Sequence, residues 1–338
     1  MGIGVSHFFR RNTMTSIVKK FPIGTTFSIT APAAMTVDGF DDETHPSIPT
    51  RKEYVFRNEH LRDVIAFISN PFGDALYLTG PTGSGKTSLI CQVAARLNWP
   101  VQQVTCHGRL ELNDLIGQFM LINGSMSFVH GPLAQAVRDG HLLILNEIDL
   151  MDPSELAGLN DIIEGQPLVI PQNGGEVIKP HPKFRLIATG NSAGQGDQSG
   201  LYQGVMQLNL AFLDRFRLME VDYPEASVEQ SILKSLLTGM GVPFDSVMEN
   251  LTEKMIQVAN EIRRLFVGGT DGAGELSVTM STRTLVRWTN LMIAYKRAPN
   301  ALAYSLDRAL TLRAEPSQRE AIHRIAKDVF GDSWGDDA

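Results

Sequence analysis

The chain of 338 residues contains only two cysteines, Cys91 and Cys106. Two thiols cannot build a disulfide framework; they suit a reducing cytosol, where each is expected as a small core residue. No uncharged apolar run reaches the ~18–20 residues that a membrane span needs. The stretch from Met1 to Phe21 has basic residues but no apolar segment followed by a small-residue cleavage site, so a secretory signal is not expected. Positive charge is not in excess either: 30 Lys and Arg against 37 Asp and Glu leave a net charge of −7. That balance weighs against broad nucleic-acid binding and leaves room only for a local basic channel. His107, His130, His141 and His181 lack metal-ligand spacing, and Cys106-His107 is a single adjacent pair. There is no internal repeat and no low-complexity tract. What the chain does have is 43% hydrophobic residues, enough for a sizeable core, over a length for which two domains are the default.

Residues 1–50 read as a weakly structured extension, because Ala31-Pro32-Ala33-Ala34 and the run Asp38 to Pro49 carry Pro, Gly and acids without a helical or strand period. Residues 51–222 change character. Leu61, Val64, Ile65, Phe67 and Ile68 line a helix leading to a buried strand, Ala75-Leu76-Tyr77-Leu78. Further apolar runs follow at Val101 to Cys106, Leu142 to Leu145, Phe184 to Ala188 and Leu218 to Val221, with helical patterns at Ser88 to Asn98 and Pro132 to Asp139. Short buried strands alternating with helices predict an α/β fold with a parallel sheet covered on both faces. Asn123-Gly124 and Asn173-Gly174 each separate two apolar runs and predict hairpins, since Asn-Gly readily takes the positive φ of a tight turn. Residues 223–330 read as all-helical, with helices at Ser227 to Leu237, Leu251 to Phe266, Ser281 to Lys296 and Ala301 to Arg313; residues 331–338 read as a frayed acidic tail.

The strongest chemical signal is Gly80-Pro81-Thr82-Gly83-Ser84-Gly85-Lys86-Thr87, a G-x-x-x-x-G-K-[ST] pattern that follows a strand and opens a helix. Its glycines let backbone N–H groups converge on phosphates; Lys86 is suited to the β- and γ-phosphates and Thr87 to Mg2+. The run His141 to Glu147 reads as a buried strand ending in polar residues at the sheet edge where ligands sit. Glu147 is the candidate for polarising water. Asn146 stands where a metal-side aspartate is usual; its amide oxygen can meet a metal-bound water but brings no charge, and Asp149 is the candidate to compensate, also through water. Asn191, at the end of another strand, is suited to orienting the water or sensing the γ-phosphate. Arg215, between apolar neighbours, is suited to reaching a neighbouring subunit's phosphates, with Arg217 as its rival. Arg283, at the start of a helix, is suited to reporting nucleotide state to the helical region. Phe119, Met120, Met126 and Phe128 could grip a partner or simply pack their own hairpin.

Together these residues resemble the AAA+ ATPases, and most closely the group of MoxR-type ATPases and cobaltochelatase ATPase subunits. The likeness runs from about Arg51 to Gly331 and includes Val93-Ala94-Ala95-Arg96-Leu97-Asn98-Trp99-Pro100, Asp114-Leu115-Ile116-Gly117, His181 to Leu186, Gly196-Asp197 and Gly200-Leu201-Tyr202-Gln203-Gly204. The resemblance implies a P-loop NTPase core with inserted β-hairpins followed by a helical lid. It also implies ATP and Mg2+ as cofactors, and a cytoplasmic homo-hexamer acting with a partner that bears a von Willebrand factor A domain. In the family pattern Asn146 and Glu147 fall on the Walker B acids, Asn191 on the sensor asparagine, Arg215 on the arginine finger and Arg283 on the second-sensor arginine. The expected function is ATP-driven remodelling of a partner protein, without a membrane or nucleic-acid role. A nucleotide-binding regulatory subunit with weak hydrolysis and a DNA-directed motor are the alternatives.

Overall fold

A computed structural model describes residues 18–196, 204–267 and 276–334. The chain opens with β1 (Val18–Pro22), α1 (Ile23–Phe27) and β2 (Thr36–Phe40); α2 (Asn58–Ser69) then leads to β3 (Ala75–Thr79) and α3 (Lys86–Arg96). Next come β4 (Val101–Thr105), α4 (Leu112–Ile116), a hairpin of β5 (Gly117–Ile122) and β6 (Ser125–His130), α5 (Pro132–Asp139) and β7 (Leu142–Asn146). Short helices α6 (Pro153–Leu156) and α7 (Asn160–Ile163) precede a second hairpin, β8 (Leu168–Ile170) and β9 (Glu176–Ile178), before β10 (Arg185–Thr189), α8 (Leu210–Leu213) and β11 (Phe216–Glu220).

The central sheet has the order β11-β3-β10-β7-β4, and every pairing in it is parallel. Parallel neighbours need crossovers, so helices cover both faces and the strands are apolar on both sides. Ala75, Tyr77, Leu143, Leu145, Leu186 and Ala188 enter one core with Leu133 and Val137 of α5. Leu76, Leu78, Leu142, Ile144 and Ile187 enter the other with Phe67 of α2 and Ile90 and Val93 of α3. The period of two along each strand sorts neighbours to opposite faces. Because all five strands run the same way, their C-termini lie along one edge.

The segment before residue 50, expected to be weakly structured, holds two strands and a short helix in its described part, from Val18. β1 and β2 pair antiparallel, Val18 opposite Phe40, and Ile23, Phe27, Val37 and Phe40 join the core beside α3. Phe40 lies edge-on to Trp99 at 5.3 Å, and its N–H donates to the Leu97 carbonyl at 2.9 Å. Burying one such phenylalanine contributes roughly 1.5–3 kcal/mol. Tertiary burial of a few scattered apolar residues thus offsets their lack of any period.

Both hairpins form where Asn-Gly falls, and the first turn has Asn123 at φ 50° and Gly124 at φ 82°. Phe128 packs against the core, whereas Phe119, Met120, Leu121 and Met126 are 45–71% exposed.

After β11 come α9 (Ala226–Gly239), α10 (Ser246–Val267), α11 (Thr282–Ala294), α12 (Ala301–Ala309) and α13 (Pro316–Phe330), which enclose a core of their own. Four match the expected helices; α13, opening at Pro316, is an addition. Gly331–Trp334 is a further helical turn rather than a frayed tail, because Trp334 is 3% exposed and stacks against Phe330 at 5.5 Å. Residues 335–338 lie outside the described residues. No helix among the described residues is long and apolar enough to cross a membrane.

Candidate active site

β3 delivers the chain to Gly80 at the C-terminal edge of the sheet, and the loop reverses into α3 at Lys86. Gly80 has φ 138° and Gly83 φ 73°, a region that side chains strain to enter. Space demands glycine as well. A Cβ on Gly80 would lie 2.4 Å from the Val221 carbonyl oxygen, and one on Gly83 would lie 2.6 Å from Ser281, where α11 begins. The loop and the first turn of α3 bound a cleft of about 330 Å³. Free N–H groups at a helix start and a cationic side chain make this a cradle for an anion.

Lys86 is 9% exposed. Its Nζ donates to the carbonyls of Gly80 (2.6 Å) and Pro81 (3.0 Å) and to Asn191 Oδ1 (3.2 Å), none of them charged. Burial therefore pushes its pKa down to about 8, partly offset by attraction to Asp149 and Glu147. Thr87 Oγ1 donates to Asn146 Oδ1 at 2.6 Å. Asn146 Nδ2 donates across to the Val104 carbonyl of β4 at 3.4 Å, a bond that a carboxylate could not make. Glu147 follows the end of β7 with φ 55°, a left-handed conformation that turns its exposed side chain into the cleft. Its N–H is received by Thr189 Oγ1 at 3.3 Å. Asn191 enters from the end of β10, and Arg283 from the start of α11, where Ser281 Oγ caps the Thr284 N–H at 3.1 Å.

Two of the candidate residues lie outside this cleft: Asp149, expected beside its metal, and Arg215, expected at a neighbouring subunit's phosphates. Asp149, expected to act on Mg2+ through water, is fully buried and absent from the lining. The helical turn after β7 rotates it toward β10, where Oδ2 accepts from the N–H groups of Asn191 (3.0 Å) and Ser192 (3.3 Å) and from the Ser192 hydroxyl (3.4 Å). Burial pushes its carboxyl pKa up while those N–H groups pull it down. It therefore holds the loop that carries Asn191. Arg215 is at the opposite edge of the sheet: its carbonyl accepts from the N–H of Ala75, the first residue of β3. Its guanidinium pairs with Glu164 at 2.6 Å rather than with Asp214. Its rival Arg217 is held by Asp74 at 3.2 Å and lies against Phe67 and Phe72.

Thr189, Gln103 and Thr105 also line the cleft and were not anticipated. Thr189 carries the one available signal, a hydroxyl two residues before Asn191 on the same strand. Asp197, Gly200, Leu201, Tyr202 and Gln203 lie outside the described residues.

The arrangement fits a nucleotide. Lys86 and Arg283 supply positive charge, and the glycine loop supplies close backbone. Thr87 and Asn146 offer hard oxygen donors suited to Mg2+, although both are neutral, so the phosphates and water would have to complete its shell.

Residues 75–216 match the family model for the AAA domain, dynein-related subfamily, and residues 245–329 match the CbbQ/NirQ/NorQ C-terminal model. The chain is 30% identical over 282 residues to the aerobic cobaltochelatase subunit CobS of a Sinorhizobium species, covering 82% of this chain and 80% of that one. It is 29% identical over 255 residues to the protein NorQ of Paracoccus denitrificans, covering 75% and 86% respectively. A Staphylococcus haemolyticus protein, SH1500, is 33% identical over 165 residues, which span 47% of this chain and 59% of that relative.

Proposed function

Because this chain belongs to the AAA+ ATPases of the MoxR and cobaltochelatase-subunit group, we propose that it assembles into a cytoplasmic ring, a homo-hexamer, that couples ATP hydrolysis to remodelling of a partner protein. The observation that carries this reading is the split of the catalytic set between two edges of the sheet. Lys86, Thr87, Asn146, Glu147, Asn191 and Arg283 all reach one cleft, while Arg215 is fixed at the far edge by Ala75 and Glu164. A head-to-tail ring of copies would bring that far edge against the next subunit's cleft.

In such a cleft Lys86 exchanges its carbonyl partners for the phosphates of ATP. Glu147 polarises the attacking water, Asn191 orients it, and Arg283 ties the lid to the γ-phosphate. Thr87 and Asn146 would hold Mg2+, which when bound neutralises the phosphate oxygens. The partner class proposed is a protein with a von Willebrand factor A domain, and membership of a cobaltochelatase-like complex is one version of that assignment. The neutral Asn146 favours slow basal turnover, so the regulatory-subunit reading differs from this one in degree. The net charge of −7 weighs against a DNA-directed motor.

The test is subunit mixing. Arg215→Ala should keep nucleotide affinity but lose roughly 10³-fold or more in turnover, as removal of an arginine finger does. Lys86→Ala should lose binding. A co-assembled mixture of the two should regain activity, because some interfaces then pair an intact lysine with an intact arginine. If co-assembly is demonstrated and the mixture never exceeds either variant alone, the shared-site reading is wrong.

A further inference from the structure

The helical domain meets the phosphate loop at two points, and one buried ion pair lies behind both. Ser281 abuts Gly83, and the Tyr223 hydroxyl donates to the Thr82 carbonyl at 3.0 Å. The guanidinium of Arg263, from α10, lies 4.4 Å from the centre of the Tyr223 ring. Arg263 holds Glu229 of α9 with both arms, Nη1 at 2.9 Å and Nη2 at 2.7 Å. Its Nε donates to the carbonyl of Met280 at 2.7 Å, and Glu229 accepts from the Thr282 hydroxyl at 2.8 Å. The pair therefore grips the residues immediately before and after Ser281, and Arg283 is the next in line. Glu229 is fully buried and Arg263 is 7% exposed, yet neither lines the nucleotide cleft.

An ion pair in such a place contributes little stability compared with apolar residues of the same volume. What it does supply is direction, since a guanidinium fork on a carboxylate fixes both angle and distance. We propose that the Glu229–Arg263 pair and Tyr223 form the linkage that seats the start of α11 on the phosphate loop and aims Arg283 into the cleft. Tyr223, Arg263 and Glu229 are thus positioning residues for ATP hydrolysis that act through Arg283. This inference rests on the ATPase reading above and adds to it a route between loop and lid: a shift of the Thr82 carbonyl on nucleotide binding passes through the phenol and guanidinium to Arg283.

Tyr223→Phe removes the hydroxyl that reaches Thr82 and keeps the ring over Arg263. In the full-length protein it should lower kcat roughly fivefold, the effect of one lost hydrogen bond, with ADP affinity and the unfolding midpoint unchanged. In an Arg283→Ala background the same substitution should cause no further loss of the residual kcat, because the two changes lie on one route. Glu229→Gln, which keeps shape and removes charge, should show the same dependence on Arg283. Wild-type kcat in Tyr223→Phe overturns the linkage, and so does a further fivefold loss in the Arg283→Ala background. If Glu229→Gln does not fold, the Tyr223 cycle still decides. A wild-type chain that neither binds nor hydrolyses ATP refutes the ATPase reading and the linkage with it, whereas hydrolysis that is indifferent to Tyr223 refutes the linkage alone.

Discussion

Lys86 donates only to uncharged oxygens, and its burial has a measurable consequence for nucleotide binding. Its pKa falls from 10.5 to about 8, chiefly through burial. Phosphates arriving beside it favour the ammonium form and raise that value again. Above pH 8, therefore, Lys86 in the free site is largely neutral, and binding must take up a proton. With a pKa near 8, about nine tenths of the sites carry the charge at pH 7, about half at pH 8 and about one in eleven at pH 9. The Kd for ADP should then rise roughly twofold by pH 8 and roughly tenfold by pH 9, by the usual reduction of affinity with the competent fraction. The phosphates, whose second pKa is about 6, are mostly ionised at pH 7 and change little between pH 8 and 9. For folding the sign is the opposite. The unfolded chain keeps the Lys86 proton to higher pH than the folded one, so this group's contribution to stability increases between about pH 8 and 10.5. The assay is a titration with a fluorescent ADP analogue from pH 7 to 9.5 at constant ionic strength. Calorimetry in two buffers of different ionisation heat should report uptake of about one proton at pH 9. Lys86→Arg, which stays charged throughout, should bind more weakly but with a flat profile. An affinity constant across the range, or the same slope in Lys86→Arg, would refute the reasoning.

Asn146→Asp places a negative charge beside Thr87 and forfeits the bond to the Val104 carbonyl. It should lower the Mg2+ concentration for half-maximal hydrolysis by about tenfold, a modest fraction of the Coulomb energy available to a divalent ion a few ångströms away; superimposable Mg2+ titrations of variant and wild type would mean that charge at this position is irrelevant. Asp149→Asn should lower kcat severalfold by loosening the Asn191–Ser192 loop, while leaving the Mg2+ requirement where it is. A raised Mg2+ requirement in that variant would put Asp149 back at the metal.

Features set by residues close together in the chain are legible in the sequence itself. The phosphate loop announces itself by spacing, the two hairpins by Asn-Gly, and Arg283 by its place at a helix start. Glu147 and Asn191 follow from strand patterns, since a buried parallel strand points its polar end at the ligand edge. Other features depend on contacts between distant segments. Asp149 differs in role from its expectation because a short helical turn swings it under β10. Arg215 finds Glu164 rather than its neighbour Asp214, a choice made by the sheet edge that brings the end of α7 alongside. The first fifty residues show no period, yet Phe27 and Phe40 are buried. The Glu229–Arg263 pair joins two helices whose separate patterns read only as amphipathic.

The strand order also governs how the molecule comes off the ribosome. β3, which ends at the phosphate loop, lies between β10 and β11. Leu76 meets Ile187, and Ala75 meets Phe216. Both of its edges therefore wait for partners made more than a hundred residues later, which at ~5–20 residues per second is roughly 5–30 s of synthesis. During that interval Ala75-Leu76-Tyr77-Leu78 is an apolar strand with two open edges, the kind of segment that seeks pairing with other chains. β4 and β7 pair directly with each other and are closer in sequence, so the nascent sheet begins at the β4 edge and closes over β3 last. The phosphate loop follows directly from this strand, whose two neighbours are the last strands of the sheet to be made. A chain that stops before residue 185 therefore lacks both of the strands that flank β3 and frame the start of the phosphate loop.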